Sequence, residues 1–470
     1  MHPKSSVSGF GSPRITRQML LSVGACAVLS LTGCTSMQPS SSIGKVSVAV
    51  PAKWNEVVTD SKGSDAANWW HGFGIHELDD LISTALASNR DLRIATARLE
   101  QARALTDRAQ ADRRPQLDAV AGAQRGRNNG LDPKTERSSV GMRASWEVDL
   151  FGRGALAVDA SQADAQASQH ALEAAQIALA ADVAAAYFDL RTLAQRVELR
   201  RQASLVAENQ LKVAQRKFIA GQATALEVER WRTELAQEQA TIAQLDGQRR
   251  VHHRQLAVLL GVGEAPVLGL LATGEAPPPP ALKLPGELLE RRPDVLRQAR
   301  ALDGALARVG VARKEVYPKL QIDWAGSRER TALVGGGASP QIVLAYGVSL
   351  SLPILDGGRI RSNIKIQEAR AKEAMAEYEK TMLQALADAE SALMQWTASE
   401  VSLREWRKAE AAGNVAVSHA GRMFDAGLSD QSAVLDARRN YLHAQDAVSQ
   451  AEGARWAAAV NLRRVFAGAI

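Results

Sequence analysis

The sequence is written twice, and that duplication limits the available folds more than any other feature. Asn89-Arg90-Asp91-Leu92 is matched by Arg292-Pro293-Asp294-Val295, and each run opens a helical stretch that ends at a proline before an alternating segment. Asp91 lies 24 residues before Pro115, and Asp294 lies 24 before Pro318. Phe151-Gly152-Arg153 then matches Gly357-Gly358-Arg359. Phe218-Ile219-Ala220-Gly221 and Phe424-Asp425-Ala426-Gly427 begin 65 residues after those arginines in both halves. Val228 and Val434 each fall seven residues after the glycine, and Leu256 and Leu462 keep the same offset of 206. Coincident spacings of this kind over about 180 residues point to gene duplication.

Each half reads as helix, two strands, long helix, turn, long helix. The first strand pair is expected at 115–127 and 138–150, where Val140, Met142, Ala144, Trp146 and Val148 alternate with Gly141, Arg143, Ser145 and Glu147. The second is expected at 318–328 and 342–352, with Leu320, Ile322 and Trp324 on one face and Ile342, Leu344, Tyr346, Val348, Leu350 and Leu352 continuing the pattern. Alternation with period two gives one apolar and one polar face. The segments between, 128–137 and 329–340, are rich in Gly and polar residues and read as loops. Strands of about 10 residues suit a membrane β-barrel, and soluble sheets alternate too. Four strands cannot close a barrel, and open edges cannot face lipid, so membrane strands here require an oligomer. The stretches 154–217 and 360–423 hold no proline, and each read as one helix would approach ~100 Å at about 1.5 Å per residue. Such lengths suggest a coiled-coil-like array, and Ala-rich runs such as 175–186 permit close packing.

The N-terminus reads as an address. Lys4, Arg14 and Arg17 precede an apolar run from Met19 to Leu31, followed by Leu31-Thr32-Gly33-Cys34. A basic region, a short apolar region and small residues before a cleavage point make a secretory signal. The ending resembles a bacterial lipobox, which implies cleavage before Cys34 and covalent lipid on it. Each buried methylene of such an anchor contributes about 0.8 kcal/mol. Thr35 stands where an inner-membrane retention signal would place Asp, which favours the outer membrane. Cys26 and Cys34 are the only cysteines, so the rest of the chain has neither an internal disulfide nor a thiolate metal site. The net charge of +6 falls to an excess of three once the basic signal segment is removed, which does not suggest nucleic-acid binding. The expected order is a signal peptide at 1–33, an extended tether at 34–68, a first repeat at 69–263, a Pro-rich linker at 264–285 around Pro277-Pro278-Pro279-Pro280, and a second repeat at 286–470.

Several runs carry a family resemblance across essentially the whole mature chain. They are the lipobox, Leu284-Pro285-Gly286-Glu287-Leu288-Leu289-Glu290-Arg291-Arg292-Pro293-Asp294, the Asp-Leu-Phe-Gly-Arg run at 149–153, Pro353-Ile354-Leu355-Asp356-Gly357-Gly358-Arg359, and the paired Phe-x-x-Gly turns. Together they resemble the outer-membrane factor family of TolC-like channels, in particular its NodT-type efflux lipoproteins. That resemblance implies a mostly α fold with a membrane β-barrel portion. The long coiled helices of the duplicated halves would form an α-barrel in the periplasm. Four strands per chain would contribute to a trimeric twelve-stranded β-barrel in the outer membrane. It further implies a passive conduit for small molecules or drugs, fed by an inner-membrane transporter through a periplasmic adaptor protein.

The resemblance also places functional residues. The turns would be periplasmic tips, with Phe218, Gly221, Val228, Phe424, Gly427 and Val434 expected at adaptor docking. Glu227 and Asp436, with Asp430 nearby, match carboxylates that ring the closed periplasmic entrance; each also reads as a solvated surface charge. Ser429 and Ala433 stand where the family has an arginine and another carboxylate, so the usual entrance latch is incomplete. Trp146, Phe151, Trp324 and Tyr346 read either as an interfacial aromatic belt or as ordinary barrel packing. Arg291-Arg292-Pro293-Asp294 reads as a helix start with Pro in the first turn and Asp complementing the dipole. His71, His76, Glu77, Asp79 and Asp80 fit no metal-ligand spacing and read as helix-surface residues, as do His252 and His253. No phosphate loop, nucleophile elbow or zinc motif occurs, so neither an enzyme nor a metal or other cofactor, beyond lipid on Cys34, is expected. The alternatives are a channel for protein, metal or oligosaccharide export and a lipid-anchored periplasmic helical scaffold, which the alternating strands disfavour.

Overall fold

The computed structural model describes residues 48–55, 68–126, 135–269, 276–277, 279, 282, 284–333 and 336–467. Cys34 lies outside the described residues, as do Pro278 and Pro280 of the proline run. The first repeat begins with a 3-10 turn, Trp69–Phe73, then α1 (His76–Ser88) and α2 (Arg90–Ala111). Strands β1 (Gln116–Gly126) and β2 (Thr135–Val148) follow, then α3 (Arg153–Ile219) and α4 (Ala225–Leu260). The second repeat runs α5 (Pro285–Leu289), α6 (Pro293–Lys314), β3 (Lys319–Leu333), β4 (Ala338–Ser351), α7 (Arg359–Asp425) and α8 (Gln431–Phe466). Both α3 and α7 are unbroken for 67 residues, about 100 Å each at ~1.5 Å per residue.

The described strands form one antiparallel sheet in the order β1-β2-β3-β4. Their ends differ from expectation. β3 and β4 extend through charged and polar residues that read as loop, because Arg330 pairs with Pro340, Thr331 with Ser339 and Ala332 with Ala338. β2 begins at Thr135, and its Arg137 bridges Glu329 of β3. At the other end β2 stops at Val148, where Leu150 N–H donates to the Val148 carbonyl at 2.9 Å and turns the chain toward α3.

Long helices pack in pairs, α3 on α4 and α7 on α8, with α2 and α6 laid against them. The largest core gathers Trp69, Trp70 and Phe73 against α3 and the end of α8, where Phe188 stacks on Trp456 at 4.3 Å between ring centroids. One window of α3 is apolar and long enough to cross a membrane, yet half of it is buried inside the chain, as in a core helix. Burial, then the hydrogen bond and charge of Glu77, push the Tyr187 phenol up to about 12; its hydroxyl donates to Glu77 at 2.9 Å. Glu77 also accepts Gly269 N–H at 2.8 Å, while His71 lies 2.9 Å from Asp79. Residues 48–55 rest on the helices: Trp54 meets Phe466 edge-on at 5.7 Å and Asn55 donates to Glu390 at 2.7 Å.

Helix starts carry more than capping. The Asn89 side chain accepts from Asp91 N–H and Leu92 N–H and donates to the Leu259 carbonyl at 2.8 Å, tying α2 to the end of α4. Pro293 occupies the first turn of α6 as expected. Beyond that expectation, Arg292 grips Asp294 at 3.0 and 2.5 Å and reaches Asp388 of α7 at 3.3 Å. Burial alone would raise Asp294, but the Arg292 hydrogen bonds and charge outweigh it and hold the carboxyl below its ordinary value.

About a third of the way up from the turns, α3, α4 and α8 meet over an ion cluster. Asp446 accepts from Arg196 at 2.8 and 3.1 Å, from Gln450 at 2.9 Å, and pairs with Arg200 at 3.2 Å; Arg200 also reaches Glu238 at 3.3 Å. Burial would raise Asp446, yet the Arg196 hydrogen bonds and the two guanidinium charges hold it below the usual carboxylate range. Removing one member of a buried pair leaves the other charges uncompensated. Asp446→Ala should therefore destabilise the protein by about 3 kcal/mol, read as a fall in thermal midpoint, whereas Arg404→Ala on the exposed face of α7 should cost under about 0.5 kcal/mol. Because the folded pKa of Asp446 is depressed, its stabilisation is complete above its ordinary value of 3.8 and drains as pH falls through the lower folded value.

Candidate functional site

Register decides which residues share a face of the sheet. Directly paired residues point the same way, so Trp146, Ile322 and Val348 form one row, Ala144, Trp324 and Tyr346 the next, and Met142, Gly326 and Leu344 a third. This face is apolar across all four strands, with Leu117, Ala119 and Ala121 completing it on β1. It is open: Ile342 is 77% exposed, Leu344 68%, Tyr346 89%, Val348 70% and Leu350 66%. From Ile342 to Leu352 the chain covers about 34 Å at ~3.4 Å per residue, or roughly 26 Å of height at a tilt of about 40°, which matches the apolar band of a membrane barrel. Charge returns at the far edge, where Arg125 pairs with Glu136 at 3.0 Å and Arg328 and Arg330 join the rows. The opposite face carries Asp118, Arg143, Asp323, Gln321 and the Arg137–Glu329 pair. Gly141 lies on that face, and a Cβ there would come 2.3 Å from the Gly326 carbonyl oxygen, so glycine lets β2 and β3 approach.

The aromatic residues divide between two levels. Trp146 donates its indole N–H to the Arg113 carbonyl at 2.9 Å, and Phe151 stacks on Tyr317 at 4.9 Å, both where strands meet helices. Trp324 and Tyr346 are cross-strand partners higher on the apolar wall, with the Trp324 ring laid across Gly326.

The glycine-arginine runs make the passage from strand to helix. Gly152 and Gly358 sit at φ 75 and 89, and each precedes a 67-residue helix. Asp149 accepts Ala155 N–H at 2.7 Å, and Asp356 accepts Gly358 N–H at 2.9 Å and Ile360 N–H at 2.8 Å, so carboxylates satisfy the free donors and complement the helix dipole.

The two turns have one construction. Gly221 N–H donates to Phe218 and Gln222 N–H to Lys217; Gly427 N–H donates to Phe424 and Leu428 N–H to Met423. Both glycines adopt φ 69, the left-handed stop of a Schellman motif. The next helix starts on a side-chain cap: Thr224 accepts Glu227 N–H at 3.3 Å, and Asp430 accepts Ala433 N–H at 3.1 Å. Asp430 is thus an N-cap. The Ser432 hydroxyl, at 2.6 Å, and then the Ala433 N–H hold its carboxyl below the ordinary value. Glu227 is the third residue of α4, half-buried, and Asp436 is exposed in the second turn of α8. Phe218 is exposed, Phe424 lies under Lys217 at 5.6 Å, and Val434 is half-buried. Val228 is 7% exposed and packs inside the chain with Ala214, Trp231 and Leu435, so the large apolar side chains offered outward at the turns are Phe218, Ile219, Leu226, Met423 and Leu428. The Thr224 cap was visible as the spacing Thr-x-x-Glu; the inward turn of Val228 follows from the α3–α4–α8 junction and has no local signal. Among the described residues no group of three His, Cys, Asp or Glu side chains gathers to hold a metal ion.

The sequence matches the family profile described as "Outer membrane efflux protein" over residues 81–262 and 284–468. It is 31% identical over 471 residues to the pyoverdine export outer membrane protein OpmQ of Pseudomonas aeruginosa, covering 95% of this chain and 96% of that one. It is 26% identical to the probable outer membrane lipoprotein SilC of Salmonella typhimurium, covering 96% and 98%. The solved outer-membrane channel OprN superposes with a TM-score of 0.80 at 29% identity, covering 90% of this chain and 98% of that chain.

A Cβ at Gly221 or Gly427 would meet nothing within 4 Å, so the backbone angle alone sets the cost of a side chain there. Gly221→Ala and Gly427→Ala should each cost about 1–2 kcal/mol. Amide exchange in the affected turn should accelerate roughly tenfold, while the sheet stays protected.

Proposed function

The chain belongs to the outer membrane efflux protein family, and on that ground we propose that three copies close their sheets into one twelve-stranded barrel. The continuous apolar face of an open four-stranded sheet carries the reading. Lipid offers no hydrogen bonds to the edges β1 and β4, so they must be paired by other copies. The polar face then lines a pore, and α3, α4, α7 and α8 prolong it into the periplasm. The channel is passive. Cargo arrives from an inner-membrane transporter through a periplasmic adaptor seated on the tips, at Phe218, Gly221, Phe424 and Gly427, with Val228 and Val434 shaping the turns from behind. A relative that exports pyoverdine supports a small-molecule cargo. Lipid on Cys34 anchors the N-terminus to the outer membrane, a reading supported by a relative described as a lipoprotein.

Threefold symmetry turns each tip carboxylate into a ring. Glu227 and Asp436 are the gate candidates, since neither has a capping role that occupies its carboxylate, whereas Asp430 is held by its own helix. Such rings favour cations and narrow the entrance.

In planar bilayers the purified protein should give discrete conductance steps; a folded, inserted oligomer with no conductance would overturn the channel reading. Glu227→Ala with Asp436→Ala should raise conductance and antibiotic leakage, and unchanged conductance would remove both from the gate. Cys34→Ala should abolish incorporation of labelled palmitate while leaving the barrel inserted; continued labelling would contradict the anchor.

A further inference from the structure

The duplication carries information about the contact between copies. Gln116 pairs with Ser145 in the first hairpin and Lys319 with Ser351 in the second. The second pair is the first moved by 203 residues from β1 to β3 and by 206 from β2 to β4, so both hairpins share one register. The remaining pairing, β2 with β3, joins the first repeat to the second. Its image under the same shifts joins β4 of one copy to β1 of the next, the two edges of the sheet.

We propose that copies of this chain join with Leu350 opposite Ala121, Ser349 opposite Gly122 and Val348 opposite Ala123. These are the shifted images of Ala144–Trp324, Arg143–Ala325 and Met142–Gly326. The inference rests on the closed-oligomer reading and adds the register of its seam.

Two further observations agree with it. Leu350 and Val348 lie on the apolar face, and so do Ala121 and Ala123. A slip of one residue would set Leu350 against the polar face of the next copy. The helices carry the same seam. Inside one copy α3 lies against α8, where a Cβ on Gly453 would come 2.6 Å from the Thr192 hydroxyl. The images of that pair are Ala398 on α7, which is exposed, and Gly247 on α4, which has nothing within 4 Å. The glycine shaped for a crossing helix is open within the copy, and Ala398 is a small side chain suited to fill it from the next. Similarly, Ala160 is 4% exposed beneath α6, while its image Ile366 is 51% exposed and faces the place where α2 of the next copy would lie.

Cysteine cross-linking in outer-membrane fragments tests the register. Both native cysteines precede residue 35, and single-cysteine variants give the background. Ser349→Cys with Gly122→Cys and Val348→Cys with Ala123→Cys are adjacent pairs, so one of them has the close spacing of a non-hydrogen-bonded position. Under copper phenanthroline that variant should yield reducible dimer and trimer bands, at least about tenfold above the slipped pairs Ser349→Cys with Gln124→Cys and Ser349→Cys with Val120→Cys. A slipped pair that bridges best overturns the register and leaves the closed oligomer standing. Failure of every pair in protein that sediments as an oligomer overturns it too. Protein that never assembles overturns the closed-channel reading, and the register with it.

Discussion

The structure depends on one constraint: a strand edge cannot present its backbone donors and acceptors to hydrocarbon. Each chain has an apolar wall in register over four strands and ends it on β1 and β4. Closing such a wall with further copies removes the edges altogether, at no cost in new elements. The duplication makes this economical, because the joint between the two repeats of one copy supplies the pattern for the joint between copies.

Helices inherit their placement from the wall. Glycine at positive φ and an aspartate that caps the first free N–H groups turn β2 into α3 and β4 into α7, and each helix then runs 67 residues to a glycine stop. The repeats are not equivalent along this length. The positions in the second repeat that match Arg196 and Arg200 are Ser402 and Trp406, and Asp446 matches Ala240. The ion cluster therefore belongs to the interior of one copy, where it fixes α3, α4 and α8 together.

Much of this was legible in the sequence, because period and spacing are local. The repeats, the long proline-free helices and the alternation of β2 and β4 follow from residue order alone. Strand ends were not: Glu329 and Arg330 read as loop, yet with Arg328 they lie in the ladder at the charged rim, where a sheet leaves the apolar layer. Non-local partners were also hidden. Arg292 read as a helix start and proves to tie α6 to α7 through Asp388; Val228 read as a tip residue and is buried by α3 and α8. Asp430 read as a gate carboxylate, and its side chain also caps α8 through the adjacent Ser432 and Ala433, a local role like that of Thr224.

The central claim is that four strands per chain close by copying. An electron-microscopic map of the detergent-solubilised full-length protein, resolved well enough to count strands, tests it most directly. Twelve strands around one pore, four from each of three chains, is the result expected. An open four-stranded sheet, or a closed barrel formed by a different number of chains, would contradict it.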